Sequence, residues 1–183
     1  MNTEKTLDSI YSYYRERNKI KEEMRKDIQE HFGDVNSESL KKLSEDAISE
    51  KDAEKVNCLV ELSHAFHYSK YILPCWNQLL LESWHQKYED IIHIIQSIAS
   101  PESIPFIEKA MQQKYDFLES YGTGTGQFIS QCGHALWSIN TEEAIDVVKK
   151  MSESEDPLIK DIMLYRLSRI EAWETPHHRN FDL

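Results

Sequence analysis

The sequence predicts an all-α protein, a right-handed solenoid of about seven or eight helices with a long N-terminal helix capping one end. Three observations predict it. Ser97-Ile98-Ala99-Ser100-Pro101-Glu102-Ser103-Ile104 aligns with Ser138-Ile139-Asn140-Thr141-Glu142-Glu143-Ala144-Ile145 at an offset of 41 residues, and in both copies a turn joins two apolar-periodic segments. A helix pair repeated at this period cannot bury its apolar stripe alone and is stabilised by stacking on its neighbours. Only five Gly and five Pro occur in 183 residues, of which 29% are charged, a composition that favours helices over a turn-rich β fold. Finally, apolar residues recur at helical spacing along most of the chain.

Taken in order, Thr6 to Phe32 is expected to form the capping helix, with Ile10, Tyr14, Ile20 or Lys21, Met24 and Ile28 on one face and Gly33 as its stop. Tyr11, Tyr13 and Tyr14 are assigned to packing. The stretch Asp34-Val35-Asn36-Ser37 offers caps for a short helix carrying Leu40, Leu43, Ala47 and Ile48. Asp52 is expected to cap a third helix with Val56, Leu59, Val60, Ser63, Phe66 or His67, and Tyr71 inward, broken or kinked at Pro74. From Trp76 onward, Leu79, Leu80, Trp84, Tyr88, Ile91, Ile92, Ile95 and Ile98 trace one broad stripe to the first repeated turn. Ile104, Ile107 and Met111 then line the second helix of the first copy, and Ala144, Val147, Val148 and Met151 that of the second.

Between the copies, Tyr115 to Gly126 is the glycine-dense segment. Its Gly122-Thr123-Gly124-Thr125-Gly126 lacks both the G-x-G-x-x-G spacing and the Gly-Lys-Ser/Thr of phosphate-binding loops, so a flexible connection is expected. Phe128, Ile129, Cys132, Ala135, Leu136 and Ile139 are expected inward on the next helix, and Leu158, Ile162, Tyr165, Leu167 and Ile170 on the last. One domain spans 1–183: N-terminal helices over 1–75, helix pairs over 76–173 and a polar tail over 174–183.

Composition also narrows function. No apolar run reaches the ~18 residues of a membrane span, and the N-terminus has no apolar signal core, so a cytoplasmic protein without membrane contact is expected. Cys58, Cys75 and Cys132 are odd in number and form no Cys-x-x-Cys, which points to reduced core residues. The net charge of −11 is uneven: residues 1–33 carry seven bases and seven acids, residues 34–183 carry 14 and 25. Such a surface repels phosphate backbones and attracts basic partners. Glu61/His64, Glu82/His85 and Asp90/His93 have the i, i+3 spacing of carboxylate-histidine metal sites, but the further carboxylates such a site needs from other helices are not evident; no metal and no cofactor are expected. Cys132 and His134 point apart on a helix and cannot act as nucleophile and base. Trp84, Trp137 and Trp173 are assigned to the core.

The arrays Leu79-Leu80-Leu81-Glu82-Ser83-Trp84-His85, Tyr88-Glu89-Asp90-Ile91-Ile92, Pro101-Glu102-Ser103-Ile104-Pro105 and Cys132 through Ala144 resemble HEAT-like repeat proteins of bacteria. The resemblance covers roughly the last 100 residues, and the first 75 match nothing in it. The second copy is the more typical unit, although Asn140 stands where a Gly is usual and Glu142 where a Pro is usual. Small acidic proteins of this kind resemble immunity proteins of bacterial toxin systems, which occlude a toxin domain. The resemblance implies a non-catalytic module whose partner is a basic protein, a nuclease-type toxin domain, without direct nucleic-acid contact. A general adaptor of the same fold, a carboxylate-His metal enzyme and a HEAT-like nucleic-acid enzyme are the alternatives, the last disfavoured by the acidic balance. Glu102, Glu108, Glu142, Glu143 and Asp146 on the second helices, with Tyr115, Asp116, Glu119 and Tyr121 of the connecting loop, are the expected partner-binding residues. Lined up side by side, like charges there would repel unless a basic partner relieved them.

Overall fold

The computed structural model describes residues 36–66, 69–120 and 124–173, without the side chains of Ala65, Phe66, Ser69 and Trp173. The expected capping helix and its tyrosines, Tyr121 and the polar tail lie outside the described residues. Every described regular element is helical, nine helices among the described residues where about seven or eight were expected for the chain. The chain divides into two compact units between Ile91 and Ile92.

In the first unit, Asn36 starts α1 (Ser37–Glu50): its Oδ1 accepts from the backbone N–H groups of Glu38 and Ser39 at 3.1 and 3.0 Å. Lys51, left-handed at φ 53°, ends the helix by donating its N–H back to Ala47 and Ile48. Asp52 then caps α2 (Ala53–Phe66), accepting from Glu54 and Lys55. Leu40, Leu43 and Ala47 of α1 meet Val56, Leu59 and Leu62 of α2 in a buried seam. A 3-10 turn (Ser69–Ile72) leads into α3 (Leu73–Leu79), whose Trp76 is fully buried.

Three expectations are corrected here. Pro74 starts a helix rather than breaking one, because at the first turn its missing N–H costs nothing. Tyr71 faces solvent with Lys70 over its ring, since α2 has already ended and the 3-10 turn shifts the register. The stripe from Trp76 to Ile98 is not one helix: residues 80–87 leave the helical path before α4 (Tyr88–Ile98). The Leu79 carbonyl, orphaned at the end of α3, accepts both the Glu82 N–H at 3.0 Å and the His85 ring at 2.7 Å, and these bonds fold the segment back.

In the second unit, α4 leads through Ala99 and a 3-10 turn (Pro101–Ser103) into α5 (Ile104–Met111). A one-turn helix, α6 (Asp116–Glu119), precedes α7 (Gly124–Ile139), α8 (Glu142–Ser152) and α9 (Pro157–Trp173). The repeat extends to its turns. Ala99 and Asn140, 41 residues apart, are both left-handed at φ 52° and 54°. The next residue caps in both copies: Ser100 Oγ accepts from the Glu102 N–H and Thr141 Oγ1 from the Ala144 N–H. Equivalent helices touch. Gln96 of α4 donates to Ser138 of α7, and Lys150 of α8 pairs with Glu108 of α5 at 2.6 Å.

The same turn occurs once more, in the first unit, where the sequence resemblance offered no match. Ser49, Lys51, Asp52 and Glu54 stand in register with Ser97, Ala99, Ser100 and Glu102 and with Ser138, Asn140, Thr141 and Glu143. Each serine hydroxyl donates to a backbone carbonyl one turn earlier, at Asp46, Ile94 and His134 respectively. One device, a left-handed residue followed by an oxygen-bearing cap, thus makes three helix hairpins.

Two further corrections concern the second unit. Gly124 and Gly126 lie inside α7 rather than in a flexible loop; a Cβ on Gly126 would make ordinary contact with Leu158 and Ile162 of α9. The inward face of α9 is Ile159, Met163, Arg166 and Ile170, while Leu158 and Tyr165 are exposed and Ile162 and Leu167 half-buried. Gly133 lies under this face: a Cβ there would come within 2.9 Å of Met163 Cε, the movable end of a flexible side chain, and would make ordinary contact with Arg166 Cγ at 3.5 Å.

Candidate protein-binding face

The carboxylates singled out on the second helices fall into two groups once their partners are known. Glu102, Glu142 and Glu143 are exposed, and none joins a salt bridge among the described residues. All three sit in the first turn after a capping Ser100 or Thr141, where unsatisfied N–H groups carry partial positive charge and favour an anion by about 0.3–1 kcal/mol. Glu108 and Asp146 differ. Glu108 is paired with Lys150, and Asp146 accepts from Lys149 at 3.0 Å. The expected row of mutually repelling charges is therefore corrected: two members are neutralised internally and three are steadied by helix termini.

Beside this face, Pro105, Glu108, Lys109, Gln112 and Gln113 line an open depression of about 500 Å³ on α5. Asp116 and Glu119 are exposed on α6. Tyr115 is not on the surface. It is 3% exposed and meets Phe128 edge-to-face at 5.6 Å, so it anchors the start of α6 against α7 and offers a partner no area. Its burial follows from its place between the exposed Lys114 and Asp116, at the point where the chain must re-enter the core. Tyr121 lies outside the described residues.

Of the spaced acid-histidine pairs, Glu82/His85 falls outside the helices. His85 is buried: one ring nitrogen, Nε2, donates to the Leu79 carbonyl, and Nδ1 accepts the Lys87 N–H at 3.1 Å, which fixes a neutral tautomer. Burial holds its pKa below the usual imidazole value, opposed by the Leu79 bond and by Glu82. Glu82 accepts from the Trp84 indole at 2.8 Å and lies on no helix, so that pair shares no helical face. Among the described residues no group of three or more His, Cys, Asp or Glu side chains could hold a metal ion. Cys132 is fully buried, and burial pushes its thiol pKa upward, away from thiolate chemistry. No described helix is long and apolar enough to cross a membrane.

One group was absent from the sequence reading. Arg166, on the inward face of α9, is 4% exposed, and its Nε is buried without an acceptor. Its guanidinium lies 5.5 Å from the centre of the Trp137 ring. His134, one turn before Trp137, and His93 occupy equivalent positions of the two repeats, and that 41-residue coincidence was the signal available in the sequence. Burial first, then Arg166 and His93, lower the His134 pKa. Comparison of the chain with protein-family models, with curated proteins and with solved structures finds no match.

Proposed function

We propose that the protein is a non-catalytic binding module, a right-handed solenoid of stacked helix hairpins whose second-helix face captures a basic protein domain. The observation that carries this reading is the trio Glu102, Glu142 and Glu143: exposed carboxylates at corresponding turns of two stacked hairpins, without salt bridges among the described residues, on a chain of net charge −11. Carboxylates so placed steer a positively charged surface and raise its association rate. A nuclease-type toxin domain is the partner whose chemistry fits, because a cleft built to grip phosphate presents the Lys/Arg surface that a carboxylate cluster can occupy in the substrate's place. On this reading the protein is an immunity protein, Asp116 and Glu119 flank the contact, and the depression on α5 receives part of the partner.

Neutralising the trio tests it: Glu102→Gln, Glu142→Gln and Glu143→Gln in one variant. Each rim charge contributes only ~0.2–1 kcal/mol, so single changes have small effects. The triple variant is expected to associate with a basic partner nuclease more slowly at low salt and with a flatter salt dependence, at unchanged helical content. An unchanged association rate at low and high salt, or a captured partner whose contact surface is acidic, defeats the proposal.

A further inference from the structure

We propose that Arg166, set over the Trp137 ring with His134 beside that ring, forms a second binding site in this protein, one that takes a carboxylate group. The site lies within the second unit and uses α7 and α9. It inverts the chemistry of the rest of the surface, since its fixed charge is positive on a strongly acidic chain.

The argument starts from what burial of an arginine requires. A guanidinium keeps its charge at neutral pH, and a buried charge is normally matched by a carboxylate or by several acceptors. Arg166 has neither. No acidic side chain lies within ion-pair distance of it among the described residues, no hydrogen bond is made by its guanidinium, and its Nε is sealed from solvent. What the group meets is the face of Trp137 at 5.5 Å, with the Arg166 stem passing Gly133. The Trp137 ring covers one side of the guanidinium, Nε is the only one of its nitrogens that is sealed without a partner, and the planar fork of donors matches the two oxygens of a carboxylate.

A neighbouring ring adds a donor. The His134 ring stands 6.4 Å from the Trp137 ring at 35°, and His134 is exposed, so it can donate to the same ligand. His93 is exposed on α4 at the equivalent position of the first copy. Burial first, then Arg166 and His93, disfavour protonation of His134, so its ring meets a ligand as a neutral N–H donor beside the Arg166 charge.

The test follows the indole N–H of Trp137 and the His134 ring resonances in isotope-labelled full-length protein. Sodium acetate, sodium phosphate and a tetraglutamate peptide are titrated against sodium chloride at constant ionic strength. Acetate and the peptide are expected to give saturable shifts of both residues, and Arg166→Met to weaken binding by about 10-fold or more, the scale of losing a charge-assisted hydrogen bond. His134→Gln, at an exposed position that does not threaten folding, is expected to weaken it less. Peptide affinity that exceeds acetate by more than its number of carboxylates identifies an acidic side chain of a partner; equal affinity per carboxylate identifies a free small acid. The proposal is overturned if chloride reproduces the acetate shifts, if phosphate binds more tightly than acetate, or if Arg166→Met and His134→Gln both leave acetate binding unchanged.

Discussion

Helices α8 and α9 follow one another and pack together, yet they are held by different means. On α8 one face is buried, through Ala144, Val147, Val148 and Met151, and the other carries Glu142, Glu143, Asp146, Lys149 and Lys150. Any rotation of α8 would bury charge, so its orientation is set by its own residues. On α9 apolar side chains occur all round: Leu158, Leu164 and Tyr165 are exposed while Ile159, Met163 and Ile170 are buried. Its exposed side mixes these with Lys160, Asp161, Ser168, Arg169 and Glu171, and the stripe it buries packs on α7 and α8. A helix whose apolar residues keep to one face therefore carries its own address, and one whose apolar residues spill onto the exposed side depends more on its neighbours.

The largest expected effect breaks the comparison on the α9 side. Met163→Ala, at a fully buried position, is expected to cost about 2–5 kcal/mol in urea unfolding, whereas Tyr165→Ala two residues later stays within about 0.5 kcal/mol. Equal costs would mean that α9 is turned otherwise. On the α8 side, Thr141→Ala removes the cap and is expected to lower stability by about 1 kcal/mol with the helix orientation kept. Full loss of the α8 helical signal would show that the cap, not the amphipathic face, holds it.

A third test applies the same contrast to residues 80–87, where a single side chain, His85, replaces a helical register. Its folded pKa lies below that of the unfolded chain, so below about pH 6.5 the unfolded state takes up a proton that the folded state refuses. The His85 contribution is full above that pH and is lost as the pH falls through it. His85→Gln should remove this part of the acid sensitivity, and His85→Ala should cost about 0.5–1.5 kcal/mol at neutral pH. Unaltered acid sensitivity in His85→Gln would place the titrating group elsewhere. Smallest of all, Ala99→Gly is expected to gain about 0.5 kcal/mol by relieving a left-handed alanine, while Asn140→Gly, where asparagine already tolerates that conformation, changes little.

Legibility followed local chemistry. The caps at Asn36, Asp52, Ser100 and Thr141 could be read because a short polar side chain beside an apolar-periodic run has one low-energy use. The third hairpin, with its Lys51-Asp52 turn, escaped notice because lysine carries no signature of a left-handed conformation, whereas Asn140 does. Glu102, Glu142 and Glu143 were legible as an exposed acidic set, but the pairing of Glu108 with Lys150 spans 42 residues and could not be inferred from spacing along one helix. Tyr115 was misplaced because an aromatic residue in a polar stretch suits a surface anchor and a core plug equally well, and only Phe128 decides between them.

By itself the sequence determined what repeats: helical segments with apolar stripes, a turn recurring after 41 residues, and an acidic balance. These depend on backbone geometry and hydration, which act residue by residue. The tertiary structure alone decided that Gly124 and Gly126 belong to a helix, that His85 closes α3, and that Arg166 is buried against Trp137. In those places residues far apart in the chain compete for the same volume or hydrogen-bond partner, and the outcome is set by packing across space rather than by periodicity along the chain.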